Sequence, residues 1–469
     1  VDTLKDVSMS APRPYQWMPR QLLISPILMA EQLVTEKDNS QQGVTTVKMG
    51  AVFNLIEPLT LSGAGSEIGA FFFLEPKRLF DFIAPDQGGI NTKANYDVGV
   101  FGVTQVLPLT LSFDYMLRGI ADIDEFFDET EESVLELPYN MQLHNMNLLI
   151  SHYFGGSYAE LRNFLALSLL LGANIYNVNM NLEDLYDIGV FYYNLSKGFR
   201  IGAMGTMGFV VREPKMNISP RGLAAKLQYD FWRQNSLKEE NSFDPNSSMP
   251  KELYDKYLFQ QILGHAKMGI AAPWYGKHDL HFDMLGTYLN VLKQDQEQVL
   301  PSFYLPGTWI PGYAYYYRDQ KIKHIDDQDT VMITEDTLVV TGKAVISAEA
   351  SYRFPLWPGL IDKKIGFLYL ERLYGCINVG AGAGWDRPQE FFQFNREDWL
   401  LYFGLEMRLE AITFSSYPLA LKFRWDRGLD LAPPLGGNRF SFSLGYDFDN
   451  WSNILQPDYR KQFRLSNRY

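Results

Sequence analysis

The chain has 469 residues, of which 46% are hydrophobic and 15% aromatic, and a formal net charge of −13. The negative charge argues against nucleic acid as a partner. The sequence contains no run of about 18 apolar residues, which is the length needed to cross a membrane as a helix. The single cysteine, Cys376, excludes an intrachain disulfide and a thiolate metal cluster, and the sequence indicates no cofactor.

Alternating segments follow one another through the first half of the chain. Residues 1–19 are rich in proline and are predicted to be an extended lead-in, and residues 21–30 are a candidate first strand. Pro26 restricts that strand to an edge, a bulge or a strand start. A tight turn is predicted at Ser196, Lys197 and Gly198. Further strands are predicted at residues 45–55, 66–74, 96–106, 110–120, 141–154, 161–176, 187–195, 199–211 and 223–232.

Two segments interrupt this pattern. An acidic stretch over residues 122–136 is predicted to be a solvated loop, with a divalent-cation site as the alternative. Residues 293–340, after a predicted hairpin at 258–275 and 278–291, alternate little. A structureless break of roughly fifty residues is uncommon in a compact domain and is usually functional.

The clearest alternation lies after this break. Over residues 344–354 one face carries Ala344, Ile346, Ala348, Ala350, Tyr352 and Phe354, and the other carries Val345, Ser347, Glu349, Ser351 and Arg353. This period of two indicates a strand and excludes a helix. Residues 401–409, 419–425 and 440–448 likewise have an apolar face opposite a face that includes charged side chains.

These segments are about ten residues long, which is the length that crosses a bilayer as a tilted strand. A sheet of this extent must hide its edges, and closure into a barrel does so. We therefore predict an all-β fold, a closed antiparallel transmembrane β-barrel of about 16 strands (18 as the alternative). The break is expected between strands 11 and 12, folded into the lumen. The predicted regions are a periplasmic lead-in (1–19), the barrel (20–448) and a C-terminal tail (449–469).

The strand count leaves one inconsistency in the first half. With a periplasmic amino terminus, the long connections at residues 75–94 and 122–136 would face the periplasm, whereas such barrels have short periplasmic turns. Either residues 21–30 form an additional strand or the barrel breaks this rule. Since the chain begins at Val1 without a signal-like leader, a cleaved signal or an upstream domain is to be expected.

Three motifs resemble the bacterial surface antigen family. They are the sequence Tyr-Arg-Phe-Pro-Leu at residues 352–356, the glycine-rich strand at 377–385, and a closing strand that presents Phe440, Phe442, Leu444, Tyr446 and Phe448. The family comprises sixteen-stranded outer-membrane barrels, including protein insertases and two-partner secretion transporters. The closest likeness is to barrels that follow a Tol-type β-propeller. The resemblance implies a bacterial outer-membrane location, contact with membrane lipid and lipopolysaccharide, and a periplasmic propeller or other protein as partner.

The family folds the loop between strands 11 and 12 into the lumen, tipped by an Arg-Gly-aromatic motif. The matching residues here are Ile310, Pro311, Gly312 and Tyr313, with Pro311 in place of the arginine. The family's aspartate on the strand-13 wall corresponds to Gly380, while Gly382 and Trp385 match. Both members of a buried ion pair are thus absent together, which argues against insertase or secretion activity that depends on that pair.

Other polar and aromatic residues suggest further sites. Asp279, His281 and Asp283 share one face of a strand, which predicts a lumenal polar network, with a metal site or proton relay as the alternative. Ser151 near His144 and His152 allows a hydrolase hypothesis. Five tryptophans near strand ends are typical of an aromatic girdle, with core packing as the alternative: Trp357, Trp385, Trp399, Trp425 and Trp451.

The sequence therefore favours a non-enzymatic role in anchoring or translocation at the outer membrane, with a plugged lumen. A gated or passive channel is the first alternative, and an outer-membrane hydrolase is the second.

Overall fold

The computed structural model describes most of the chain. The described residues are 21–35, 45–58, 65–76, 94–106, 109–127, 133–154, 164–180, 193–211, 221–239, 252–274, 277–294, 308, 310–313, 316–324, 330–357, 363–366, 368–387, 395–413, 418–431 and 435–445. The predicted lead-in (1–19) and the C-terminal tail (449–469) lie outside them.

The described residues form β-strands almost throughout. In chain order the strands are β1 (Gln21–Thr35), β2 (Thr45–Pro58), β3 (Gly65–Pro76), β4 (Ala94–Val106), β5 (Leu109–Phe127), β6 (Ser133–Tyr153), β7 (Phe164–Met180), β8 (Tyr193–Val211), β9 (Arg221–Glu239), β10 (Glu252–Ala271), β11 (Asp279–Gln294), β12 (Tyr316–His324), β13 (Thr330–Leu338), β14 (Ala344–Pro355), β15 (Lys363–Ile365), β16 (Leu368–Trp385), β17 (Leu400–Thr413), β18 (Pro418–Gly428) and β19 (Asn438–Gly445). One 3₁₀ turn covers Arg396–Asp398. Among these residues no helix has the length and apolar character needed to span a bilayer.

Sixteen of the strands pair antiparallel in one continuous circuit. Strands β1 to β11 pair in sequence, and β11 then pairs with β14, β14 with β16, and β16 to β19 in sequence. The first strand pairs with the last, from Ala30 opposite Leu444 to Thr35 opposite Arg439. The predicted antiparallel sixteen-stranded fold, with the long break between the eleventh and twelfth of these strands, is therefore confirmed. The remaining strands, β12, β13 and β15, lie outside this circuit.

One prediction about the first half is confirmed and another is wrong. The candidate strand at residues 21–30 is part of β1, which pairs with β2 from Gln21 to Gln32. The tight turn predicted at residues 196–198 is wrong, because β8 runs through it and pairs with both neighbours there. Gly198 lies opposite Asn174 and Gln234, and the side chains of these two residues occupy the space that a Cβ at Gly198 would need.

Together, the added first strand and the continuous β8 remove the inconsistency in loop lengths. The gap after β4 is two residues long, whereas the gaps after β3 and β11 are long, and strand alternation places these two kinds of connection at opposite ends. Part of the acidic stretch also belongs to strands, because β5 continues to Phe127 and β6 begins at Ser133. The predicted structureless break contains the β12–β13 hairpin, whose Met332 pairs with Phe127 of β5.

Side chains alternate between an exposed outer face and a buried inner face. In β7, Leu165, Leu167 and Leu169 are exposed, while Ala166 and Leu170 are each only 1% exposed. Large apolar side chains also lie on the inner face of β3 to β5, where they form one cluster: Phe71, Phe73, Phe101, Val103 and Met116. In β3 both faces are therefore apolar, and the alternation of its sequence does not identify the lipid side.

We expect a disulfide to form across the seam between β1 and β19 when Leu33 and Ser441, which are directly opposite, are both replaced by cysteine. Cys376, which is buried, would first be replaced by alanine. The cross-link should appear as a shift in mobility of the denatured, non-reduced protein. A control pair, Leu33→Cys with Ser351→Cys on β14, should not cross-link. If the seam pair fails to cross-link under mild oxidation, the β1–β19 pairing is contradicted.

Candidate functional site

A short piece of the long break lies against the inner wall of the barrel. We call Thr308 and Ile310–Tyr313 the lumenal segment, and all of its described residues are buried. The backbone N–H of Thr308 donates to the carbonyl of Val340 at 3.0 Å, and that of Tyr313 donates to the carbonyl of Ile310 at 3.2 Å. The segment contacts β16, β17 and β18 near the end that carries the long connections.

Ile310 is seated on a glycine of the wall. A Cβ at Gly382 of β16 would overlap Ile310 Cδ1, so only a glycine leaves room for this side chain. Ile310 is 2% exposed and packs with Tyr313, Val345 and Tyr402. The resemblance assigned Gly382 to the wall and Ile310 to the loop, and the structure places the two residues in direct contact.

Tyr313 fastens the segment to β17 and to the chain that follows β18. Its hydroxyl lies 2.5 Å from the carbonyl oxygen of Leu401 and 3.1 Å from Asp430 Oδ2, and it accepts the backbone N–H groups of Leu429 and Asp430 at 2.9 and 3.1 Å. We call this set of hydrogen bonds the Tyr313 latch. Its four partners are distant in sequence, so the sequence motif does not reveal them.

Gly312 makes this approach possible. Its φ of +84° is in the left-handed region that favours glycine, and a Cβ there would overlap the backbone of Gly428. Gly428 in turn has the ring of Tyr313 over it, with Tyr313 Cε1 at 2.9 Å from the position of a Cβ. The two glycines therefore allow the segment and β18 to pack backbone to backbone.

Asp430 links the Tyr313 latch to Arg396, whose side chain is exposed. Its carboxylate accepts the backbone N–H of Leu401 at 2.5 Å and a guanidinium N–H of Arg396 at 2.6 Å. Partial burial alone would raise the pKa of Asp430, but the hydrogen bonds from Leu401, Arg396 and Tyr313 outweigh it and hold the pKa below its ordinary value of 3.8. Burial raises the pKa of Tyr313 above 10.0, so its hydroxyl remains protonated at neutral pH.

The latch should be insensitive to pH between 5 and 8 and should loosen only in stronger acid. Because the pKa of Asp430 is lowered in the folded state, its ionised form stabilises that state at and above the ordinary pKa, and this contribution is lost as the pH falls through the lowered value. Protection of the Leu401 amide against hydrogen exchange, corrected for intrinsic rates, should therefore be constant from pH 5 to 8. A protection factor that falls between pH 8 and 5 would contradict this assignment. Asp430→Asn should lower protection throughout that range.

Charged side chains of β14, β17 and β18 form a network on the lumenal face of the barrel wall. Arg424 of β18 lies between three carboxylates: its Nη2 is 2.9 Å from Glu349 Oε2, its Nε is 2.8 Å from Asp426 Oδ2, and its Nη1 is 3.5 Å from Glu406 Oε2. Glu406 also pairs with Arg408. We call these five residues the wall network. Each positive charge therefore has a carboxylate partner within the wall itself.

Gly380 lies beneath this network. The ring of Tyr402 covers Gly380, with Tyr402 Cε1 at 2.5 Å from the position of a Cβ, and the Tyr402 hydroxyl donates to Glu349 on the far side of the glycine. An aspartate at this position would displace that ring. The described residues of the lumenal segment contribute no charged side chain to the wall network.

The predicted polar cluster on β11 is divided between two ion pairs. Asp279 is fully buried and accepts a hydrogen bond from Arg221 Nε at 2.8 Å. Asp283 contacts His265 Nε2 at 2.8 Å and Lys267 Nζ at 3.1 Å, and His281 is 6% exposed between the two aspartates. Among the described residues no group of three or more side chains is arranged to hold a metal ion.

The residues considered for hydrolysis do not assemble. Ser151 is buried on the inner face, where its Oγ lies 2.8 Å from the Oγ of Ser168. Neighbouring residues of a strand point to opposite faces, so His152 lies on the outer face, where its ring contacts Phe154. His144 bonds to the hydroxyl of Tyr115, also away from Ser151.

The predicted closing strand and tryptophan girdle are only partly described. Phe440 is 49% exposed on the outer face of β19, which Phe442 and Leu444 share, and Ser441 and Ser443 are buried on the inner face. Tyr446, Phe448 and Trp451 lie outside the described residues. Trp385 is 5% exposed and packs against Trp399 while donating to Asp398, so for Trp385 core packing replaces the predicted girdle position.

Comparison with known proteins gives matches in fold only. No protein-family model and no curated protein matches the sequence. Among solved structures, BamA from Haemophilus ducreyi lacking POTRA domains 1-3 matches with a TM-score of 0.50 and 12% identity over 91% of this chain and 70% of that one. CdiB from Escherichia coli gives a TM-score of 0.46 and 10% identity over 91% and 68%. The chain therefore has a β-barrel fold similar to that of BamA.

Proposed function

We propose that the protein is an integral barrel of the bacterial outer membrane, plugged by its lumenal segment, that anchors or translocates a partner. The observation that carries this proposal is the seating of the segment on the inner wall, with Ile310 on Gly382 and Tyr313 held by the latch. Two independent fastenings on three strands support a closed resting state rather than an open porin.

The outer face supports the membrane location. It presents many large apolar side chains, among them Leu227, Met284 and Phe423, while charged residues such as Asp230 and Glu406 are buried on the inner face. Lipid-facing strands have this pattern, since hydrocarbon hydrates no charge. In this arrangement the short connections face the periplasm and the long ones meet lipopolysaccharide, and a periplasmic propeller or other protein is the proposed partner.

The wall argues against an insertase or secretion role that requires an arginine-tipped loop. Pro311 supplies no charge, and Gly380 lies beneath the ring of Tyr402. Each of the three carboxylates of the wall network already has an arginine partner, either Arg424 or Arg408. A catalytic role has no support either, because Ser151 and the nearby histidines occupy opposite faces.

A gated channel is the second candidate. It is favoured by the chemistry of the fastening, which uses one isoleucine, one tyrosine hydroxyl, backbone groups and the Asp430 carboxylate, with no charge contributed by the described residues of the segment. A fastening without a buried ion pair is easier to release than one that leaves an unpaired charge behind.

Conductance of single barrels in planar bilayers tests the plug. The intact protein should show little conductance, and a variant in which residues 295–340 are replaced by a short Gly-Ser linker should show large, stable steps. Insertion of both proteins is verified separately by their slower migration after boiling. Large steps from the intact protein would contradict the plug, and a deletion variant that inserts but does not conduct would show that another part of the chain closes the lumen.

A further inference from the structure

A group of basic residues lies on the lumenal face of β9, β10 and β14, toward the end with the short connections. We call this group the basic strip, and its members are Arg221 and Lys226 of β9, Lys267 of β10 and Arg353 of β14. The chain as a whole carries a formal net charge of −13. A concentration of positive charge on the inner wall is therefore not expected from the composition.

Two aspartates of β11 are shared among the members of the strip. Asp279 accepts a hydrogen bond from Arg221 Nε at 2.8 Å and lies directly opposite Arg353 in the pairing of β11 with β14. Asp283 lies directly opposite Lys267, whose Nζ is 3.1 Å from its Oδ2. Since four basic residues face these two carboxylates, the strip has an excess of positive charge.

The carboxylates farther along the same strands have arginine partners on other strands. Glu349 of β14 lies 2.9 Å from Arg424 Nη2 of β18, and Asp230 of β9 lies 3.9 Å from Arg200 Nη1 of β8. Each of these carboxylates is matched by a positive charge that does not belong to the strip. They therefore do not cancel the excess of positive charge on it.

Part of the strip is accessible while the lumenal segment is seated. The side chains of Arg221 and Lys267 are 23% and 24% exposed, and that of Asp283 is 42% exposed. Lys226 and Arg353 are each 7% exposed, and charges with little exposure are screened less by salt. In an enclosed path with low-dielectric walls, an excess of one sign of charge raises the local concentration of solutes of the opposite sign.

We propose that the barrel passes small anionic solutes in preference to cations when the lumenal segment is released, and that the basic strip provides this preference. Ammonium and guanidinium groups form charge-assisted hydrogen bonds with carboxylate or phosphate groups. The aspartates between them keep that binding weak enough for the solute to leave, which conduction requires. This inference deepens the gated-channel candidate and rests on the proposed plugged barrel.

The reversal potential of single barrels in a gradient of potassium chloride tests the proposal. The measurement uses the full-length Tyr313→Ala variant, whose segment is no longer held by the latch. We expect a reversal potential of the sign set by chloride. Adding Lys226→Gln and Lys267→Gln should shift it toward zero, because two positive charges of the strip are lost. Adding Lys226→Arg and Lys267→Arg instead keeps both charges and should leave it unchanged.

The matched control combines Lys197→Gln with Lys364→Gln, which removes two exposed lysines that do not belong to the strip. It should leave the reversal potential unchanged, and a shift equal to that of the strip variant would indicate general surface charge and overturn the assignment. A conducting barrel whose reversal potential is zero, or has the sign set by potassium, would overturn this proposal alone. A Tyr313→Ala barrel that inserts but stays closed would contradict the proposed latch and this inference with it.

Discussion

Replacement of Arg424 by methionine is expected to lower the free energy of unfolding by about 3–5 kcal/mol. The guanidinium is the shared partner of Glu349, Asp426 and Glu406, and its removal leaves their carboxylates close together on a buried wall. Urea unfolding of the barrel in phospholipid vesicles measures the loss. The effect is large because an ion cluster that loses one member retains the desolvation cost of the others.

Three further variants separate this cause from simple loss of packing. Arg427→Met removes an arginine from the same strand but from the outer face, and should change the free energy of unfolding by less than about 0.5 kcal/mol. Arg424→Lys should have an intermediate effect, since lysine retains the charge but not the bidentate geometry. Adding Glu349→Gln and Asp426→Asn to Arg424→Met should restore part of the stability. If Arg424→Met unfolds at the same urea concentration as Arg427→Met, the wall network contributes nothing to stability.

Replacement of Tyr313 by alanine is expected to open the barrel without unfolding it. The substitution removes a fully buried ring and a hydroxyl with four hydrogen-bonding partners, a loss of about 3–5 kcal/mol for a truncated aromatic. The equilibrium between seated and released segment should shift by a factor of about a hundred to a few thousand, since 1.4 kcal/mol is tenfold. Single-barrel conductance should show frequent openings where the parent shows few.

Two related variants test the Tyr313 hydroxyl and the seat of Ile310 on Gly382 separately. Tyr313→Phe keeps the ring on Gly428 and loses only the hydroxyl, so its openings should be fewer than those of Tyr313→Ala. Gly382→Val should displace Ile310 and produce openings although Tyr313 is intact. The matched control is Gly264→Val, at a strand glycine whose Cβ would meet nothing within 4 Å. Parent-like closure in both Tyr313→Ala and Gly382→Val would mean that the segment does not plug the lumen.

The sequence predicted the faces of the C-terminal strands well, because one face of each carries charge. Glu406 and Asp426 could only point into the enclosed side, and Leu405 and Phe423 are correspondingly exposed. The two faces of β3 cannot be distinguished in this way, because Phe71 and Phe73 on the inner face are as apolar as Ile68 and Phe72 on the outer face. Alternation shows which residues share a face, and only charge shows which face meets lipid.

Long-range partners could not be predicted from alternation. Arg424 and Glu349 are 75 residues apart, and Tyr313 and Asp430 are 117 apart, so no local pattern joins them. Likewise, Ser196, Lys197 and Gly198 have turn-forming composition, and only the pairing of β8 with both neighbours overrides it. Gly380 and Gly382 were recognised through the resemblance. The side chains that lie over them, Tyr402 and Ile310, could not be predicted from the sequence.

We infer that alternate residues of each strand face hydrocarbon and an enclosed lumen. Nitroxide labels placed singly at residues 165–170 of β7, in a Cys376→Ala background, test it most directly through their collision rates with oxygen and with a water-soluble nickel chelate. We predict high oxygen and low nickel accessibility at Leu165, Leu167 and Leu169, and low oxygen accessibility at Ala166, Ser168 and Leu170. High nickel accessibility at the three leucines would contradict the claim, because it would place the apolar face in water.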